Sequence, residues 1–220
     1  MINGNAKNAA VFGFLISSLS TLLCYLAAGP TLGVFFGGFF VAAFLAPVGS
    51  FRWAHLHSVV GGIWLVWLIA VFRTSDTVGQ WVRLGILLGS FSLAVAGMAA
   101  LLRGFRVQAV IAAGTASLVG LAWLFWPIWL SPQFAKLSEG FIEALVRVHP
   151  PLVANGVLEN EPPWTERFLA YRLTRLDQDT PMRLPTDVWP GVVLYLGVGA
   201  GFLVIGRGMG RILPMRPECG

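Results

Sequence analysis

Six long apolar runs limit what this chain can fold into. They cover about residues 8–28, 31–49, 54–72, 79–102, 107–130 and 188–206. Because a helix rises about 1.5 Å per residue, each run is long enough to cross the roughly 30 Å hydrocarbon core of a bilayer. Charged residues make up 11% of the chain, against roughly 25% in soluble domains. The sequence therefore predicts an all-α, polytopic membrane protein with six transmembrane helices.

The lengths of the links predict how the chain is divided. The first four links are short, which favours antiparallel neighbouring helices, whereas the fifth is long. We expect a five-helix transmembrane bundle over 1–130, an extracytoplasmic amphipathic loop over 131–187, a sixth transmembrane helix over 188–206 and a cytoplasmic tail over 207–220. The first run also resembles a cleaved signal peptide, but its weakly charged start favours an uncleaved helix.

The distribution of charge predicts an orientation, because cytoplasmic loops of membrane proteins carry an excess of Lys and Arg. With a cytoplasmic N-terminus, eight of the ten acids fall in the long loop, and Glu218 is the one acid on the cytoplasmic side. We therefore expect a bacterial cytoplasmic (inner) membrane protein with both termini in the cytoplasm. The bases that would then be cytoplasmic are Lys7, Arg52, Arg103, Arg106, Arg207, Arg211 and Arg216.

The long loop contains two predicted helices that together form a two-helix amphipathic cap on the extracytoplasmic side. Residues 133–148 carry an apolar stripe at steps of three and four residues, with charged residues on the other side, and Pro150 and Pro151 end this helix. The second helix follows residues 161–163, with Thr165 as its cap. The predicted stripe is Phe134, Leu137, Phe141, Leu145 and Val148, and the charged side is Lys136, Glu139, Glu143 and Arg147. The steps of three and four residues between these charges allow ion pairs along the helix.

Two explanations account for the charge in this loop. The loop is the one long segment that stays in water, so its charges need no functional reason. Alternatively, the cap covers a cavity between helices and binds a ligand through polar groups close to apolar surface. The candidate ligand-binding residues are then His149, expected on the outer surface, and Glu166, Arg172, Asp177 and Asp179.

The histidines and cysteines indicate no cofactor. His55 and His57 are two residues apart, so on a helix they point to different sides, and His149 lies at another depth. These positions do not favour a bis-histidine haem. Cys24 and Cys219 lie in the first apolar run and in the C-terminal tail, so neither a disulfide nor a shared metal is expected.

The polar residues of the loop predict no metal site and no catalytic residue. His149 lacks partners at a zinc-ligand spacing, and Asp177 and Asp179 do not continue into a calcium loop. A nucleophile–histidine–acid site built from Thr165, His149 and Glu166 would rest on their shared location alone. The chain has no glycine-rich phosphate loop and no basic cluster for nucleic acid.

The apolar runs carry small residues, while Asp, Glu and Lys do not reach the middle of any run. The lack of an intramembrane ionisable group argues against an ion-coupled site. Glycine pairs at GxxxG spacing allow close helix contact, either within the bundle or with a partner. The pairs are Gly33 and Gly37, Gly85 and Gly89, and Gly197 and Gly201.

These patterns favour a non-catalytic, permease-type or scaffold subunit of a membrane complex. Its expected partners are the lipid bilayer and either other membrane subunits or a second copy of the chain. The topology resembles that of the membrane subunits of some ATP-driven exporters, and this resemblance carries no motif and assigns no residues. The alternative is an enzyme or receptor that binds a lipid, quinone or envelope substrate beneath the outer loop.

Overall fold

The computed structural model describes residues 3–31, 37–48, 53–71, 78–130, 133, 136–158 and 184–212. Within these ranges the regular structure is helical and contains no strand, so the predicted all-α class is confirmed. The helices are α1 (Asn3–Thr31), α2 (Gly37–Leu45), α3 (Trp53–Val71), α4 (Val78–Gly104), α5 (Ala109–Leu124), α6 (Trp126–Trp129), α7 (Glu139–Val148), α8 (Pro150–Val157) and α9 (Trp189–Ile212).

Two described helices are long and apolar enough to cross a membrane by length and composition: α4, and α9 over Trp189–Gly210. Three predicted spans, the second, the fifth and the sixth, differ in their bounds from the sequence pattern. Helix α2 has nine residues, which is about 14 Å of helix and less than half a bilayer core. The fifth run is divided at Phe125 into α5 and the short α6, whose second residue is Pro127. Helix α9 continues beyond residue 206 into the predicted cytoplasmic tail.

Helix α4 lies at the centre of the bundle, in contact with α2, α3, α5, α8 and α9. Its buried side, which includes Leu84, Leu87 and Phe91, joins the main hydrophobic core. Phe39 of α2 packs edge-on against both Trp67 and Phe91, with ring centroids 5.7 Å apart in each case. Edge-to-face pairs of this kind add to the stabilisation from burial.

Four glycines bring α4 and α9 into backbone contact. A side chain at Gly97 would lie 2.8 Å from the carbonyl oxygen of Gly199, and one at Gly104 would collide with that of Gly206. From the other side, a side chain at Gly199 or Gly206 would meet the backbone of α4 at Leu93 or at Ala100 and Leu101. From one contact to the next, the residue numbers increase along both helices, so α4 and α9 run parallel.

The glycine pairs singled out by GxxxG spacing do not make this contact. A side chain at Gly37 would collide with Cys24, and one at Gly85 would lie 2.8 Å from Trp64 Nε1, so these two glycines do allow close packing. In contrast, a side chain at Gly89, Gly197 or Gly201 would meet no described atom within 4 Å. Gly33 lies outside the described residues. Helix α9 therefore packs on α4 through Gly199 and Gly206, on a different side from the predicted pair.

Helices α1 and α3 also run parallel and approach closely. Gly13 lies against His55, while Gly62, seven residues further along α3, lies against the carbonyl oxygen of Phe14. The hydroxyl of Ser18 donates a hydrogen bond of 3.2 Å to the carbonyl of Gly62. Helices α3 and α4, by contrast, are antiparallel, because Trp64 meets Gly85 while Trp67 meets Trp81. Alternate helices thus run in the same direction.

Helices α7 and α8 lie together at one end of the bundle. Gln80, near the start of α4, donates to the carbonyl of Val157 in α8 at 3.0 Å. The end of α5 contacts these helices where the carbonyl of Leu124 meets His149, between α7 and α8. The start of α9 contacts them where Gly191 lies near the carbonyl of Val148. From here on, the cap means α7 and α8 rather than the two helices predicted from the sequence. The capped end is the end of the bundle where α7 and α8 lie.

Candidate functional site at the capped end

Helix α7 forms where the sequence predicted an amphipathic helix, but its buried side is different. Ile142 and Val146 are 3% and 1% exposed, whereas Phe141, a member of the predicted stripe, is 49% exposed. Ile142 and Val146 form a second core cluster with Trp126 and Leu152. The most buried positions are thus displaced by one residue from the predicted stripe, although Leu137 and Leu145 of that stripe also pack against this cluster.

The charged side of α7 forms one of the predicted ion pairs. Arg147 donates to Glu143 across one helical turn at 2.6 Å. Both side chains are more than half exposed, so solvent screens the pair and it contributes little stability. Glu139 in the first turn and Arg147 in the last turn suit the helix dipole.

Helix α7 ends before Pro150 as predicted, but the chain continues directly into a second, buried helix. His149 adopts an extended backbone between α7 and α8, and Pro150 and Pro151 occupy the first two positions of α8, where a missing N–H has no cost. All eight residues of α8 are buried. A side chain at Gly156 would collide with the carbonyl oxygen of Pro185, so α8 is enclosed by the chain that enters α9.

His149 is fully buried, which corrects the expectation that it lies on the outer surface. Its Nε2 lies 3.1 Å from the carbonyl oxygen of Leu124, so Nε2 carries the hydrogen and Nδ1 holds the lone pair. Nδ1 has no hydrogen-bond partner among the described atoms. The rings of Trp126 and Trp123 lie edge-on to the imidazole, with centroids 5.5 and 6.2 Å away.

Burial lowers the pKa of His149 from 6.5 to about 3. The carbonyl groups of Leu124 and Trp123 favour the protonated form, but they do not offset the loss of hydration that a buried imidazolium would suffer. His149 is therefore neutral at physiological pH. In this position it acts as a hydrogen-bond donor that fixes the α7–α8 junction to the end of α5, rather than as an acid or a cationic ligand group.

A second connection ties the same junction to α9. The indole N–H of Trp123 donates to the hydroxyl oxygen of Tyr195 at 2.7 Å, and this hydroxyl donates to the carbonyl of Val148 at 2.5 Å. Three segments, α5, α9 and the end of α7, thus meet at one phenol. This contact could not be read from the sequence, because Trp123 and Tyr195 are 72 residues apart.

Tyr195→Phe tests this connection. The substitution keeps the ring but leaves the Val148 carbonyl and the Trp123 indole without their shared partner, so we expect a loss of about 1–2 kcal/mol of stability. Thermal and denaturant unfolding of purified protein measure it. In a double-mutant cycle, Trp123→Phe should cost much less in the Tyr195→Phe background than alone. Additive costs would contradict the shared hydrogen bond.

The other predicted ligand-binding residues are not among those that the structure describes. Glu166, Arg172, Asp177 and Asp179 lie outside the described residues, as does the helix predicted to begin at Thr165. Within the described ranges, no group of three or more His, Cys, Asp and Glu side chains is placed to hold a metal ion. His55 Nε2 donates a hydrogen bond of 3.1 Å to the carbonyl oxygen of Leu45, the last residue of α2, and His57 is exposed.

A cavity lies elsewhere, as a lateral groove between α3 and α4. It has a volume of about 590 Å³, within the range of small-molecule sites. Leu196 of α9 completes its wall, and glycines form part of the lining from both helices. Sequence reasoning missed this groove, although Gly85 and Gly89 were noted for their spacing. The lining includes Leu56, His57, Trp64, Gly85, Gly89 and Leu196.

The described residues thus define an all-helical structure with two helices able to cross a membrane by length and composition, and with one buried histidine, His149, between the two helices of the cap. A scan against protein-family models, a search of curated proteins and a search of solved structures each found no match to this chain.

Proposed function

We propose that the chain is a six-span protein of the bacterial cytoplasmic membrane, with both termini in the cytoplasm. Support comes from large apolar side chains on the outside of the bundle, which include Phe12 on α1, Val110 on α5 and Val204 on α9. Large apolar side chains exposed in this number indicate contact with lipid or with other proteins. The parallel pairs α1 with α3 and α4 with α9 also suit a chain that crosses repeatedly in alternate directions.

Within that membrane we propose a non-catalytic role, as a permease-type or scaffold subunit of a complex. The observation that carries this proposal is the second small-residue face of α9. One side of α9 contacts α4 through Gly199 and Gly206. Another side presents Val193, Gly197 and Val204, all exposed, and the two valines are 68% and 71% accessible.

That outward face of α9 has the form of a helix-association surface. Between membrane helices, glycine allows backbones to approach, and packing replaces the hydrophobic effect as the source of attraction. Gly197 and Gly201 are open on this side. We therefore assign it the contact with a partner subunit or with a second copy of the chain.

Gly197→Leu tests the association. In a mild detergent we expect the wild-type protein to have a mass above the 23.8 kDa of one chain, measured by light scattering and native mass spectrometry. A leucine at position 197 blocks the close approach of another helix, so this variant should have the mass of one chain. Gly114→Leu is the control, because Gly114 of α5 is also exposed and open, and it should retain the wild-type mass. A wild-type protein that is monomeric both in detergent and after cross-linking in the membrane would contradict the proposal.

The alternative, an enzyme or receptor for a lipid, quinone or envelope substrate, is favoured by the groove between α3 and α4. The predicted ligand site beneath the outer loop loses support at His149, since this side chain is enclosed and bonded to Leu124. Any ligand of the described residues is better accommodated in the lateral groove.

A further inference from the structure

The groove between α3 and α4 has the length of one bilayer leaflet. Along α4 it extends from Val82 to Leu93, which is about 16 Å of helix. The hydrocarbon part of one leaflet is half of a core of roughly 30 Å, or about 15 Å. Val82 lies four residues after the start of α4 at the capped end, so the groove begins near that end and runs toward the middle of the bundle.

The groove is shaped for a hydrocarbon chain. Its lining is aliphatic and aromatic apart from His57, which lies at the end away from Val82. Gly61, Gly85 and Gly89 contribute no side chain to the lining, so a flexible chain can lie against helix backbone. The polar ring of His57 limits the length of hydrocarbon that the groove accepts.

A cationic residue, Arg83, lies beside the end of the groove that is nearest the capped end. Arg83 follows Val82 directly and precedes Ile86, another lining residue, by three positions, so Arg83 and Ile86 share a side of α4. The Arg83 side chain is exposed and forms no ion pair with any residue that the structure describes. An arginine at this depth extends its guanidinium to the lipid head groups, where phosphate is its preferred partner.

We propose that this groove binds one acyl chain of a membrane phospholipid from the leaflet at the capped end, with the lipid phosphate held by Arg83. The proposal requires the membrane location proposed above but not the association through α9. The phosphate distinguishes this occupant from a lipid that offers hydrocarbon alone.

Photolabelling tests the proposal in nanodiscs of phosphatidylcholine. The probe is a phosphatidylglycerol with a diazirine in the middle of one acyl chain, and mass spectrometry locates the labelled peptides. We expect labelling of the groove peptides, around Trp64 and Ile86, above that of the exposed lipid-facing residue Val204. A diacylglycerol with the same diazirine chain should not show this excess. Equal labelling by both probes, or equal labelling of the groove and Val204, would overturn the proposal.

Two substitutions separate the groove from the cation. Gly89→Leu fills the groove from a position where an added Cβ would meet no described atom within 4 Å, and it should abolish the excess labelling. Gly114→Leu, at an open glycine of α5, should leave the labelling unchanged. Arg83→Gln should lower the excess for the phosphatidylglycerol probe, whereas Arg103→Gln near the other end of α4 should not. If Gly89→Leu lowers the thermal midpoint, Gly61→Leu fills the groove from α3 instead. Retention of the excess in folded groove-filled variants would overturn the proposal.

Discussion

Gly206→Val is expected to cost about 3 kcal/mol of stability, the upper part of the range for overpacked sites. A side chain at position 206 would lie 2.9 Å from both the carbonyl oxygen of Ala100 and the Cα of Leu101. Both are backbone atoms of α4, so the conflict cannot be relieved by a change of rotamer. The two helices must separate, and the core that they share must open.

The measurement is the thermal midpoint and the denaturant midpoint of purified protein in detergent micelles. Gly104→Val should have an effect of similar size from the other side of the contact. Gly210→Val is the matched control, since Gly210 lies on the same helix, is exposed and has no described atom within 4 Å. Both valines carry the same intrinsic cost in a helix, so the difference reports the contact between α4 and α9. Equal midpoints for Gly206→Val and Gly210→Val would show that this contact is wrong.

Acidification is expected to destabilise the cap through His149. The native state holds the pKa of this group at about 3, below its ordinary value of 6.5. Between these two values the unfolded chain binds a proton that the folded chain does not, so stability falls as pH falls. The full stability is present above pH 6.5, and the loss reaches about 3 kcal/mol by about pH 4.

His149→Gln isolates this contribution. Its amide N–H can still donate to Leu124 but does not titrate, so its stability should depend less on pH between 6.5 and 4. The groups packed on His149, which are two indole rings and a backbone carbonyl, do not titrate in this range. If His149→Gln lost as much stability as the wild-type protein between pH 6.5 and pH 4, a neutral and enclosed His149 would be contradicted.

Much of the general architecture could be predicted because it depends on local patterns. The length and composition of the apolar runs predicted helices throughout, and α4 and α9 fulfil the requirement for crossing a membrane by length and composition. The Glu143–Arg147 pair followed from a spacing of four residues. The end of α7 at the paired prolines followed from the missing N–H of proline.

The candidate site could not be predicted to the same extent. Pro150 and Pro151 predicted the end of one helix, and no helix was predicted over residues 150–157. Their burial depends on distant partners, since Gly156 faces Pro185 and the Val157 carbonyl accepts from Gln80. His149 was expected in water because it lies in a charged segment of the sequence. Its burial also depends on distant partners, Trp123 and Leu124, which the neighbouring residues do not indicate.

The sequence alone determined that the chain would form long apolar helices with its charge concentrated outside them, because backbone hydrogen bonding and apolar length are properties of each segment by itself. Only the tertiary structure decided which glycines of α9 contact α4 and which remain open. The local sequence pattern does not distinguish these glycines from one another. Which of them contact α4 depends on how the two helix surfaces fit together. The enclosure of His149 was decided in the same way, by three helix ends that are far apart in sequence and meet in the folded bundle.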